Sequence, residues 1–357
     1  MTATATRPPQ AGADDLAGTS RPLPSWALWA LGAAAVVIAL LLRQVLGSGP
    51  VLTTVFAVIL FTVAVNVVAR QVEGSRRATD RTVTAIVSAM FVAAMVPLIS
   101  LIWTVFSKGS ARFDLDFFTM SMRNVVGEGG GAQHAIIGTL IITGLAAIIS
   151  VPIGMLTAIY LVEYGRGRLK RSITFLVDVM TGIPSIVAGL FAYALFSLIF
   201  GPGVRFGIGG AVALSVLMVP VVVRSVEEML KLVPAELREA SYALGVPKWR
   251  TILKVVLPAA AAGIGTGITL AVARVIGETA PLLLIVGTTS SINMNPFDGR
   301  MATLPVFTFY SFFQPGATPQ PSIDRAWTAA LVLMLIVLAL NLVARLLAKR
   351  FAPKGGR

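Results

Sequence analysis

Apolar residues fill this chain in long runs, with no strict alternation and no single amphipathic stripe. A run of about 20 apolar residues reads as a helix crossing a bilayer, because 1.5 Å per residue then matches a hydrocarbon core of about 30 Å. Eight such runs stand out, at about 26–46, 51–69, 82–106, 134–160, 171–200, 208–230, 260–286 and 326–347. Only GSGP at 47–50 separates the first two, which predicts a helical hairpin. Several runs exceed the necessary length, so tilt or extension past the bilayer is expected. Pro97, Pro152, Pro184 and Pro220 fall inside runs, where membrane helices tolerate proline and kink. The pattern predicts an all-α fold, a polytopic membrane helix bundle.

Composition agrees with this pattern. Of 357 residues, 56% are hydrophobic and 13% charged, and the mean hydropathy is +0.85. A soluble domain carries about 25% charged residues. The chain has no cysteine, which excludes disulfide and thiolate chemistry. Its one histidine, His134, cannot build a metal cluster. In a soluble protein a net charge of +13 would suggest nucleic acid, but here the distribution of charge explains it. With the N-terminus inside and the runs alternating, the inner segments hold 21 Lys and Arg, the outer ones 7, and Arg274 lies within a run. That bias predicts both termini in the cytoplasm of a multi-pass protein of the cytoplasmic (inner) membrane, with the lipid bilayer as partner and no nucleic acid.

Residues 1–25 are rich in Ala, Thr, Pro and Gly and read as a disordered cytoplasmic tail, too long and polar for a cleavable signal peptide. Residues 26–81 read as an additional N-terminal transmembrane hairpin with a basic linker, and 82–350 as the main transmembrane domain. The outer segments are modest. GEGGG at 127–131 suggests a flexible connector, and 287–325 is turn-rich through NMNPFDG and QPGATPQPS.

One segment interrupts the apolar pattern. Residues 231–258 read as a compact helix–turn–helix on the cytoplasmic surface. Pro234 suits a helix start, Glu236 and Glu239 suit its first turns, and Leu237, Ala240 and Leu244 share a face. Gly245 permits the left-handed residue that ends a helix, and Val246-Pro247 turns the chain. A second helix follows with Trp249, Ile252, Leu253 and Val256 on one face, and Leu257-Pro258 redirects the chain into the next span. A tether between two spans and mixed charge argue against a DNA-reading element. The residues alone leave two readings open: an interfacial helix pair without a partner, and a plug for a groove on a cytoplasmic protein.

Glu239-Ala240-Ser241, three residues, Gly245, nine residues, then Val255-Val256-Leu257-Pro258 closely resembles the E-A-A, three, G, nine, I-x-L-P motif of ABC-importer permeases. Ser241 and Val255 are mild departures from it. Three blocks in order narrow the resemblance to the phosphate-transport permeases: VDVMTGIPSIVAGLF at 177–191, RSVEEMLKLVPAELREASYALG at 224–245 and GITLAVARVIGETAPLL at 267–283. The resemblance covers roughly 82–350, and the first 81 residues depart from the six-span pattern. It implies the type I ABC importer permease fold with an extra N-terminal two-helix hairpin. It also implies ATPase coupling through Glu239, Ala240, Gly245, Leu257 and Pro258, with Glu239 anchoring the loop. The implied partners are two ATP-binding cassette subunits, a paralogous permease subunit and an extracytoplasmic phosphate-binding protein. No G-x-x-x-x-G-K-[ST] occurs in the chain, so ATP and magnesium belong to the partner ATPases and no cofactor is expected here.

Ionisable groups inside a membrane are costly and mark a pathway or a buried pair. Arg274 lies at bilayer depth, and Glu278 follows at i+4, close enough to pair on a continuous helix. Their bland use is a structural bridge. The functional use is a guanidinium fork that compensates an anion in a low-dielectric pore, moderated by Glu278. The resemblance places Arg224 and Arg274 at arginines linked to phosphate passage. Arg224 reads otherwise as an inner-face anchor, and Asp178 lies at a depth that suits facing it. Gly263, Gly267, Gly182 and Gly189 read as packing glycines. Other expectations stay open: a permease for another oxyanion such as sulfate or molybdate, a stand-alone secondary transporter, or a structural or signalling subunit.

Overall fold

A computed structural model describes residues 23–316 and 318–351, and the tail expected at 1–25 lies, up to residue 22, outside them. Its contacts divide into two units, one through Trp103 and one from Thr104.

The first unit holds α1 (Ser25–Leu46), α2 (Pro50–Glu73) and most of α3 (Ser75–Gly109). The hairpin at GSGP forms as its residues dictate. Gly47 ends α1 in the left-handed region, with φ of 62°, and Pro50 opens α2 at a position that has no need of its N–H. At the far end of α2, Glu73 is buried and pairs with Arg81 of α3. Asn66 also donates to the Thr82 hydroxyl at 2.9 Å.

The second unit continues through α4 (Leu115–Thr119), α5 (Gln133–Ile159), α6 (Gly167–Thr181), α7 (Ser185–Phe200), α8 (Gly207–Lys231), α9 (Ala235–Ala243), α10 (Lys248–Thr251), α11 (Leu257–Val275), α12 (Ala280–Ile285), α13 (Leu304–Phe313) and α14 (Pro319–Phe351). Among the described residues, seven helices are long and apolar enough to cross a membrane, and α6 with α7 makes an eighth only as a bent pair. The main core runs through α5, α8 and α11, where Ile142, Leu214, Met218, Val222 and Val275 are buried. A smaller one joins Phe117 of α4 to Leu304 and Phe307 of α13 and to Val332 of α14. Gly263 and Gly267 of α11 pack as expected. A Cβ on either would fall 2.3 Å from Met229 Sδ and 2.6 Å from Ser225 Cβ of α8, respectively.

Two expected spans are not continuous. The run at 171–200 is α6 and α7, which meet at 106° across the Gly182–Pro184 break. Proline removes an N–H and disfavours helix in the residue before it, so Ile183-Pro184 stops α6 and starts α7. The run at 260–286 ends as a helix at Val275 and resumes as short α12 only at Ala280. A third correction concerns Pro258, which does not redirect the chain. The helix from Lys248 to Val275 is one 28-residue element. A π turn at Ile252–Val256 widens it just before the proline, and Pro258 falls at the start of α11. The wider register absorbs the hydrogen bond that proline cannot make.

The GEGGG connector is strapped down, which corrects the flexible reading. Arg325, buried on α14, donates through Nη1 to the carbonyls of Gly127 (2.7 Å) and Gly129 (2.9 Å), and Arg112 reaches Gly130 O at 3.0 Å. Asp114 caps α4 by accepting from Phe117 N–H at 2.8 Å. Burial raises the Asp114 carboxyl, but the Phe117 N–H and Arg112 outweigh it and hold it below its ordinary value. The cap is therefore present above the usual carboxylate range and is lost as pH falls through the depressed value. Replacing Arg325 with Ala is expected to lower stability by about 2 kcal/mol, because glycine carbonyls lose their donor. A fall in the thermal midpoint of the purified protein checks it.

Candidate functional site

The elbow at 231–258 is built from hydrogen bonds that its sequence explains. Helix α9 ends in a Schellman arrangement: Val246 N–H donates to Ser241 O at 3.2 Å and Gly245 N–H to Tyr242 O at 2.9 Å. Gly245 has φ of +73°, with open space where a Cβ would stand, so the backbone alone requires glycine there. Ser241 and Thr251 are buried and share a hydroxyl contact of 2.8 Å that ties α9 to α10. The departure from the motif at Ser241 is thus a built contact.

Glu239 and Ala240 are exposed, and among the described residues Glu239 has no ion pair. Within this chain the elbow is fastened by Arg238 instead. Its guanidinium donates to Glu163 Oε1 at 2.9 and 3.0 Å, to Leu230 O at 2.9 Å and to Val233 O at 2.6 Å. Lys248 reaches the Glu163 carbonyl and lies 4.8 Å from the centre of the Tyr164 ring. Leu232, Leu244, Trp249 and Leu253 stay exposed, with Leu244 at 83%. Leu257 is half-buried and Pro258 exposed where the elbow passes into α11. An exposed apolar face on a hydrogen-bonded frame suits a docking partner.

A second cluster ties α6 to α8. Arg224 pairs with Asp178, and its Nη1 donates to Glu227 Oε2 at 2.7 Å. Lys231 Nζ donates to the other oxygen of Glu227 at 2.8 Å. The facing of Asp178 and Arg224 inferred from depth is present in the geometry. Glu227, whose side chain is 6% exposed, was not singled out by the sequence reading, although Arg224, Glu227 and Lys231 stand at i, i+3 and i+7.

Arg274 is arranged differently. It is exposed on the last turn of α11, about 26 Å along the axis from Leu257 at 1.5 Å per residue. The helix ends one residue later, so Glu278 lies in the break and the expected i,i+4 pairing does not form. Among the described residues no ion pair joins Arg274 to any carboxylate. Beside the break, Thr279, Thr308, Pro305, Phe309 and Phe312 line a cavity of 530 Å³ between α12 and α13. His134 is buried with its ring edge-on to Phe307 at 5.5 Å.

A broken span bearing an uncompensated charge, beside a framed elbow between two spans, defines an integral membrane protein of the transport-permease class. Residues 150–355 match the family described as the binding-protein-dependent transport system inner membrane component, and the chain belongs to that family. It is 46% identical over 284 residues to the phosphate transport system permease protein PstA 1 of Mycobacterium tuberculosis, covering 79% of this chain and 92% of that one. Over 262 residues it is 42% identical to the phosphate transport system permease protein PstA of Yersinia pestis, covering 71% and 84%. A chain of a bacterial alginate ABC transporter, solved in complex with a pentasaccharide-bound periplasmic protein, superposes with a TM-score of 0.55. That likeness covers 78% of this chain and 97% of the other at 13% identity, and it shows a shared fold. The fold class is thus an all-α importer-permease bundle carrying an N-terminal hairpin.

Proposed function

We propose that this chain is a permease subunit that passes inorganic phosphate across the cytoplasmic membrane during ATP-driven import. The observation that carries the reading is Arg274, an exposed guanidinium on the last turn of a helix long and apolar enough to span a membrane, with no ion-pair partner among the described residues. Facing lipid it would cost several kcal/mol, so it faces protein or water in the assembled transporter. A planar fork of donors there matches a tetrahedral oxyanion. The names of the relatives support phosphate as that anion.

Arg224 plays another part in this reading. Its two acid partners compensate its charge, so it latches α6 to α8 and competes poorly for an anion until Asp178 lets go. Glu278, free of Arg274 in this arrangement, lines the break and limits how tightly the anion is held. The exposed elbow docks on the pair of partner ATPases, which hold the ATP and magnesium. A paralogous permease subunit completes the pathway, and an extracytoplasmic binding protein delivers the anion. Both termini lie in the cytoplasm on the charge bias of the segments.

Uptake by proteoliposomes holding the full transport complex tests this, with radiolabelled phosphate against sulfate and molybdate. ATP-dependent uptake of phosphate in preference to the other two is expected. Uptake of another oxyanion would reassign the substrate, and uptake without ATPase subunits would point to a stand-alone secondary transporter. A chain lacking residues 1–81 is expected to retain uptake per complex while losing yield. Loss of uptake in a well-expressed truncation would give the hairpin a role in transport.

A further inference from the structure

We propose that Glu163 is a positioning residue through which motion of the elbow reaches α5. The inference rests on the coupling role given to the elbow above. Covalently, the elbow lies between α8 and α11, since α9 follows α8 through Leu232–Pro234 and α10 continues into α11. Helix α5 is separated from it by more than seventy residues of chain, and Glu163 crosses that gap.

Glu163 sits in the π turn Tyr160–Tyr164 that closes α5, with its side chain 6% exposed. Arg238, before the Gly245 turn, holds its side-chain oxygen, and Lys248, after the turn, holds its backbone carbonyl. Two helices of the elbow thus grip one residue from either side of their own hinge. The π turn is the local device that makes this geometry available: it ends α5 with Gly165 N–H on Tyr160 O, immediately before α6. From there the connection continues inward. Helix α5 packs closely on α8, where Ser215 Oγ donates to Ala146 O at 3.4 Å and a Cβ on Gly154 would fall 2.7 Å from Val222. Helix α6 is in turn latched to α8 through Asp178 and Arg224.

Capping is separable from transmission at this site. Arg238 also satisfies the carbonyls of Leu230 and Val233 at the end of α8, so removing Arg238 would unmake a helix end as well. Removing the Glu163 carboxylate leaves those bonds in place and cuts the Arg238 side of the link between spans, while Lys248 keeps the backbone carbonyl. Both Arg238 bonds go to a single oxygen, Oε1, which a glutamine can replace.

The test uses the complete transport complex in proteoliposomes, with uptake and ATP hydrolysis read on the same sample. Glu163→Ala is expected to keep hydrolysis within about twofold and to lower uptake per ATP on the order of tenfold, the loss for about 1.4 kcal/mol of coupling. Glu163→Gln is expected to restore most of it. A merely structural role would lower assembly and hydrolysis together and leave the ratio unchanged. A second readout does not depend on the transported solute. The chain has no cysteine, so thiol labels placed by Arg166→Cys and Glu236→Cys, both exposed sites, report one distance between the end of α5 and the elbow. That distance is expected to stay constant with and without ATP in the otherwise unaltered complex and to change with ATP in Glu163→Ala. Unchanged uptake per ATP in Glu163→Ala, a Glu163→Gln as defective as the alanine, or a wild-type distance that already shifts with ATP would each overturn the proposal. If phosphate proves not to be the solute, the labelled distance still decides.

Discussion

Arg274→Gln is expected to abolish phosphate uptake, by on the order of a hundredfold, while the transporter assembles and its subunits copurify. The magnitude follows from losing charge-assisted hydrogen bonds to a dianion, each worth about 1.5–3 kcal/mol in a site shielded from water. Assembly is expected to survive because Arg274 makes no ion pair within the described residues, so its replacement strands no buried carboxylate. Arg274→Lys separates charge from geometry. A lysine keeps the charge without the fork, and partial uptake is expected. Radiolabelled uptake in proteoliposomes, normalised to assembled complex, is the measurement. Normal uptake by the glutamine variant would remove Arg274 from the pathway. The same experiment on Arg224→Gln is expected to differ in kind: Asp178 loses its partner and buried Glu227 keeps only Lys231, so yield falls along with uptake.

Gly245→Val is expected to have the second largest effect, loss of the ATPase subunits from the purified complex. At φ of +73° a non-glycine residue costs about 1–2 kcal/mol, and a β-branched one more. No neighbour lies within 4 Å of the missing Cβ, so the penalty is backbone strain and not a clash. The turn would escape it by giving up the Gly245 and Val246 hydrogen bonds, which swings α9 away from α10 and disperses the exposed face of Leu244 and Trp249. Gly245→Asn provides the control, because asparagine enters the left-handed region readily and fits the open space. Copurification of ATPase subunits with Asn and not with Val is the expected result. Intact complex with the valine variant would count against the turn as a docking requirement.

Much of this was legible along the chain. The hairpin at 47–50 was marked by Gly47 and Pro50, the elbow by Pro234, Gly245 and Pro247, and a close-packed face on α11 by Gly263 and Gly267, though not the helix it meets. These are local properties: a backbone angle, a missing N–H, a missing side chain. The misread places share a different cause. Hydropathy sums over a window and passes straight through both breaks; Pro184 marked a kink but not the size of the bend, and Gly277–Thr279 marked nothing. Glu163 left no signal beyond its place before the basic stretch Arg166–Arg171, because its partners come from distant parts of the chain. The strap on GEGGG escaped for the same reason: Arg325 reaches it from almost two hundred residues away.

By itself the amino-acid sequence determined that this protein lives in a bilayer as helices, where its turns fall, and which residues carry charge at depth. Those outcomes follow from transfer of apolar length out of water and from backbone sterics, and both act within a few residues. Only the tertiary structure decided which of those charges are spent. Arg224 is neutralised by α6 and α8 together, and Arg274 is left open because its helix stops before Glu278 can face it. Pairing in a low-dielectric interior depends on distances between helices, and nothing shorter than the folded bundle sets them.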